Sequence, residues 1–257
     1  MRKLFTVMSL AALALASCAN DEPKSTEKGE GRVSIACSVA TDVDETRAQV
    51  VCTTPVEADF ALKIEGVSLS YEENYASLAE FAENNYLFNG TYKATVTAGD
   101  ISVEGYDKAT FVGSEVFDIA AREDKQVNIT ATIANALVKV AVTDKFKTYF
   151  QGGYSLKLTT AAGNEFDVTA QTEPLFIAPE SFTITGTGTK QANQSGAEGA
   201  TVELGEYTKM ELKAQTMYVV KMDVETAGEA TLTITLNDEL VGSIVIDEEL
   251  NDYADEK

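Results

Sequence analysis

The chain has 257 residues, 44% of them hydrophobic, enough for one large core or two of ordinary size. Its 20 Lys and Arg stand against 41 Asp and Glu, a formal net charge of −21, which disfavours nucleic-acid binding by counterion release and docking on anionic lipid by charge alone. The absence of His and Trp removes the commonest general base and metal ligand and the best stacking surface for sugars, so neither a cofactor nor an enzymatic activity is expected.

Residues 1–17, MRKLFTVMSLAALALAS, start with Arg2 and Lys3 and continue in an apolar stretch from Leu4 to Ala16 that is too short to span a bilayer. This is the pattern of a secretory signal. Leu15, Ala16, Ser17 and Cys18 resemble a bacterial lipobox, in which the cysteine is diacylated through its sulfur and the signal is cut just before it. Each buried methylene adds about 0.8 kcal/mol, so two acyl chains make attachment effectively permanent. Residues 18–31 are polar, have nothing to pack, and read as a tether. Within them Asp21 and Glu22 resemble the short export signal by which some Gram-negative anaerobes move lipoproteins to the outer face of the outer membrane. The expected address is the outer membrane, lipid-anchored through Cys18 and facing the exterior, with the membrane as one partner.

Alternation of period two dominates from Val33 onward. Val33, Ile35, Cys37 and Val39 share one parity, as do Phe60, Leu62 and Ile64, then Tyr92, Ala94 and Val96, then Val127, Ile129, Ala131 and Ile133. Such runs are half-buried strands. The pattern continues in LVKVAV, YSLKL, SFTITGT, TKMELKA, MYVVKMDV, ATLTITL and GSIVI, separated by Gly, Asn and Asp turns. An all-β chain of antiparallel sandwiches, Ig-like or transthyretin-like, is expected rather than βαβ units. One segment differs: over residues 72–84, Tyr75, Leu78, Ala79 and Ala82 fall at helical spacing, which predicts a short helix inside a strand connection.

A weak internal echo suggests two tandem sandwiches. FALKIEGV, FNGTYKATVTAG and FDIAAREDKQVNITATI are matched by YSLKLTTAAG, APESFTITGTG and KMELKAQTMYVVKMDV. The expected organisation is a signal at 1–17, a tether at 18–31, an N-terminal sandwich at 32–134 and a C-terminal sandwich with an acidic tail at 135–257. VNITATIANALVKVAV is expected to run straight from the last strand of one to the first of the next.

Several residues invite a chemical reading. Cys37 and Cys52 flank an acidic loop, and a disulfide between them would close about 15 residues and be worth about 3 kcal/mol in the chain-entropy model; two buried, reduced thiols are the other reading. Asp42, Asp44 and Glu45 are weak calcium candidates, because the glycine and closing glutamate of a full loop are missing. Asp247, Glu248, Glu249 and Asp252 look like glycosidase carboxylates only until the 41 acids of the chain are counted. Phe146, Tyr149, Phe150 and Tyr154 would stack on glycan if exposed, but the strand that follows needs aromatic cover. Residues 186–200 are Gly-rich without the ending of a phosphate cradle, and read as a long hairpin loop.

In LFNGTYKATVTAG, followed by the long run from Thr110 to Phe150, the order Gly90, Tyr92, Gly113, Phe117, Ile119, then Ala134, Asn135, Val138, Val140, Thr143, Asp144 and Phe146 resembles the cell-surface lipoproteins grouped as domain of unknown function 4493. The likeness spans roughly residues 33–185 and brings no activity with it. More distantly the architecture is similar to the fimbrillins, acylated two-domain precursors of surface pili. That likeness implies cleavage at Arg47, in DETRAQVV, to free a groove for a partner's strand; a hairpin turn is the competing account of the same residues. The function expected is therefore a structural, adhesion or interaction role at the surface. A pilus subunit or anchor, with protein partners or self-assembly, and an accessory glycan-binding lipoprotein are the alternatives.

Overall fold

The computed structural model describes residues 29–43, 50–190, 199–225 and 230–247. Its first half contains β1 (Glu30–Ala40), β2 (Ala61–Gly66), β3 (Glu72–Tyr75), α1 (Leu78–Glu83), β4 (Tyr86–Phe88), β5 (Gly90–Ala98), β6 (Gly105–Tyr106), β7 (Phe111–Ile119) and β8 (Asp124–Ile133). The second half contains β9 (Ala136–Val142), α2 (Asp144–Tyr149), β10 (Tyr154–Thr160), β11 (Glu165–Asp167), β12 (Leu175–Ile177), β13 (Ser181–Thr189), β14 (Thr201–Met210), β15 (Met217–Glu225), β16 (Ala230–Leu236) and β17 (Glu239–Asp247). The fold is all-β and built of packed sheets.

Seven strands join in the order β3-β2-β5-β7-β8-β1-β4. β7 and β8 share only Phe111↔Ile133 and Val112↔Thr132; elsewhere β7 pairs with β5, and β8 with β1. The sheet therefore folds along the β7–β8 line and closes on a single core. Leu62, Ile64, Tyr92 and Val96 enter that core from one side and Val33, Val127, Ile129 and Ala131 from the other. At the fold line Gly113 has no room for a side chain, since a Cβ there would lie 2.5 Å from the Thr130 carbonyl. The parity read from the sequence holds, because successive side chains on a strand leave by opposite faces.

The second half packs a four-stranded sheet, β11-β10-β13-β14, against a six-stranded one, β17-β16-β15-β9-β12-β6. Leu156, Leu158, Phe182 and Ile184 meet Val138, Val140, Val220, Met222 and Leu232 in this second core. Among the described residues pairing is antiparallel except at β1 with β8 and β9 with β15, which run parallel.

Four local differences from the sequence expectation have physical causes. The helix near 72–84 is only Leu78–Glu83, capped by the Ser77 hydroxyl, which accepts from the Glu80 amide; Tyr75 instead ends strand β3. A second helix, α2, occupies DKFKTY behind a Thr143 cap and buries Phe146, while its C-cap Phe150 also lies in the core. The strand placed in TKMELKA ends at Met210, because Glu211 takes a φ of 56° and turns the chain. Gly188, placed in a loop, lies on β13, which runs two residues past the expected SFTITGT strand and pairs with β14 up to Thr189↔Thr201.

Candidate functional site

Of the residues singled out near the N-terminus, Cys37 lies on β1 and Asp42 just past it. This strand is held along most of its length by parallel pairing with β8, nine register pairs from Arg32↔Asp124 to Ala40↔Thr132. Its start is gripped from both sides. Asn89 and Arg122 donate backbone amides to the Gly29 and Glu30 carbonyls, and Arg32 donates its Nε to Asp124 at 2.8 Å. That hydrogen bond, with the attraction of the same carboxylate, raises the Arg32 pKa further above its already high ordinary value.

β4 accompanies β1 only over Glu30, Gly31 and Arg32. From Ser34 to Ala40 the β1 edge turned away from β8 pairs with no strand among the described residues. Beside this edge lies an open groove of about 410 Å³. Val33 and Ile35 of β1 form its floor, Leu78 and Phe81 of α1 one wall, and Glu57 and Asn85 supply polar atoms. It sets an apolar lining beside a strand edge that no described strand covers.

Cys37 and Cys52 both pack against the first core as half-buried free thiols; the bridge considered between them is not formed in the structure. Burial pushes both thiols above the ordinary cysteine range, helped by Glu57 at Cys37 and by Asp107 at Cys52. Asp42 lies just past β1, and its carbonyl accepts from Gln215 Nε2 at 2.9 Å. Asp44, Glu45 and Arg47 lie outside the described residues, as does Cys18. Their neighbours Val43 and Val50 are buried, and the Val50 amide donates to the Thr41 carbonyl. No group of three or more His, Cys, Asp or Glu suited to a metal occurs among the described residues. No described helix is long and apolar enough to cross a membrane.

Sequence reasoning did not anticipate the seam between the two cores. Strand β6, from the first half, adds to the edge of the six-stranded sheet through Gly105↔Phe176 and Tyr106↔Leu175. Across the strands β15, β9, β12 and β6, Met217, Leu137, Phe176 and Gly105 form one row in register. The side chains of Leu137 and Phe176 belong to the first core although both strands serve the second. Next to this row the Glu104 carboxylate accepts from the Thr160 hydroxyl, from Asn164 Nδ2 at 2.8 Å and from the Ala178 amide at 2.9 Å. Asn135, fully buried, accepts the Thr110 amide on its Oδ1 at 2.6 Å and the Gln215 amide on its backbone carbonyl. The only trace of this seam in the sequence is a continuous apolar stretch, ALV at 136–138 and LFI at 175–177, where alternation gives way to strands buried on both faces.

The model of the family described as domain of unknown function (DUF4493) matches residues 27–252. No curated protein sequence matches the chain. Among solved structures, the fimbrial anchor protein Mfa2 from Porphyromonas gingivalis aligns with 10% identity and a TM-score of 0.40, covering 85% of this chain and 99% of that one. A candidate cell adhesion protein from Bacteroides eggerthii aligns with 8% identity and a TM-score of 0.41, covering 83% and 97%. A candidate polysaccharide-binding protein from Bacteroides thetaiotaomicron aligns with 10% identity and a TM-score of 0.39, covering 82% and 97%.

Proposed function

The chain belongs to the family described as domain of unknown function (DUF4493), and from that premise we propose that it is a non-enzymatic lipoprotein of the outer membrane, displayed on the cell surface in a structural or adhesive role. What supports this reading is the N-terminal sequence, where a stretch patterned like a secretory signal and a cysteine in a lipobox-like setting precede the polar residues that run up to β1. A dozen or so tether residues at up to ~3.5 Å each let the body stand on the order of 40 Å from the bilayer. The body is read as two domains meeting at Ala134 and Asn135, one for each core. Metabolic labelling with palmitate tests the anchor: label should enter the wild type and be absent from Cys18→Ala, which should leave the membrane fraction. Protease treatment of intact cells should remove the wild-type body, and survival of the body would place it on the inner side.

A second reading, a pilus subunit or anchor cut at Arg47, draws support from the buried flanks Val43 and Val50 and from the open β1 edge beside the groove. It requires that protein shaved from cells carry an N-terminus at Ala48; an intact acylated N-terminus without oligomers would exclude it.

A further inference from the structure

In each half of the protein the strand by which the chain enters pairs in parallel with a strand formed much later. β1 pairs with β8 over nine register positions, and β9 pairs with β15 over six. In the first half this has a mechanical meaning. The chain arrives at the Glu30 end of β1, beside Asp124 at the start of β8. It departs for the second half from the opposite end, at Ile133, where Phe111 is paired. The other ties to the second half sit at that departing end too: Thr110 with Asn135, Glu104 with Thr160, Asn164 and Ala178, and the Asp42 carbonyl with Gln215.

We propose that the β1–β8 pair is a tension clamp, which makes this a load-bearing protein between the membrane and whatever its second half holds. Tension between the tether and the second half pulls β1 and β8 lengthwise in opposite directions. The ladder is then loaded in shear, and the bonds of all nine register pairs must give way together. A pull that separated the strands from one end would break them one pair at a time, each bond being worth only about 0.5–1.5 kcal/mol. The grip on the first residues of β1 by Asn89, Arg122 and Asp124 resists fraying at the loaded end. The second half repeats the plan: β9 enters at the seam beside Met217, and β17 ends at Asp247 opposite Ala230, at the far end of the sheet.

The inference rests on Cys18 as the attachment point. Single-molecule pulling on the full chain, expressed without acylation and carrying Cys37→Ala and Cys52→Ala, tests it with Cys18 as one handle. The second handle is Lys257→Cys in one protein and Arg122→Cys in another; Arg122 is exposed in the turn before β8, so pulling from it peels the pair from its start. The event that releases residues 30–133 in the first protein is expected to need severalfold the force of the event that opens residues 30–122 in the second. Equal forces, or a lower force in the end-to-end pull, would overturn the clamp. No lipid is present in this experiment, so its failure would leave the palmitate result standing, and loss of the anchor would leave the force ratio unchanged.

Discussion

Leu137 and Phe176 lie directly opposite one another on β9 and β12, and both send their side chains into the core of the other half of the chain. Their neighbours Val138, Leu175 and Ile177 face the second core. One register position thus joins two hydrophobic clusters that the chain otherwise keeps apart.

Truncating that pair should cost stability and cooperativity together. Leu137→Ala or Phe176→Ala is expected to destabilise by about 2–5 kcal/mol. Leu158→Ala, confined to the second core, should cost a similar amount while leaving the halves coupled. Urea unfolding followed by tyrosine fluorescence and by circular dichroism should stay coincident in Leu158→Ala and split in the two seam variants. Coincident curves in all three would show that the halves do not depend on this contact.

Glu104 satisfies three donors from the second half. Glu104→Ala leaves the Ala178 amide and the Thr160 hydroxyl without that acceptor and is expected to cost about 1–3 kcal/mol. Glu104→Gln, which keeps one carbonyl oxygen, should cost less. Hydrogen exchange at the Ala178 amide is the direct measure, and unchanged protection in Glu104→Ala would contradict the role given to this carboxylate.

Acid should loosen the segment after Cys52. Asp107 accepts from the Thr53 amide and hydroxyl, each at 2.7 Å, and these bonds hold its carboxyl below the ordinary aspartate range. A folded pKa below the unfolded value of about 3.9 means that the contribution is complete above that pH and is lost as pH falls through the folded value. Asp100 and Asp167, bonded to Ser102 and Thr169, act in the same direction. Stability measured from pH 7 to pH 2 should therefore drop below about pH 4. In Asp107→Asn that drop should be shallower, and an identical slope would remove Asp107 from the account.

The two thiols should be present but slow to react. Burial raises both above the usual cysteine range, so little thiolate forms at neutral pH. Iodoacetamide should modify Cys37 and Cys52 slowly in native protein and quickly in urea. Unreduced, secreted protein that takes up neither label in urea would show that the pair is bridged.

Much of the architecture follows from local rules. The inward parity of Phe60, Leu62 and Ile64, of Tyr92, Ala94 and Val96, and of Val127 to Ile133 could be read directly, because a strand must alternate its faces and an apolar row must be covered. Helix α2 could not be read that way, since its DKFKTY sequence buries only Phe146 and its signal is the Thr143 cap rather than a period. The groove by β1 escaped for another reason: Glu57, Leu78 and Val33 are distant in sequence and share no pattern.

The sequence by itself determined the all-β character and which side chains of β2, β5 and β8 face inward, since both depend on residues a few positions apart. Only the tertiary structure decided that β1 runs parallel to β8, that β6 crosses to the other half, and that Leu137, Phe176 and Glu104 tie two cores together. Partners separated by dozens of residues are chosen by how whole sheets pack, and period-two alternation is the same whichever strand lies alongside.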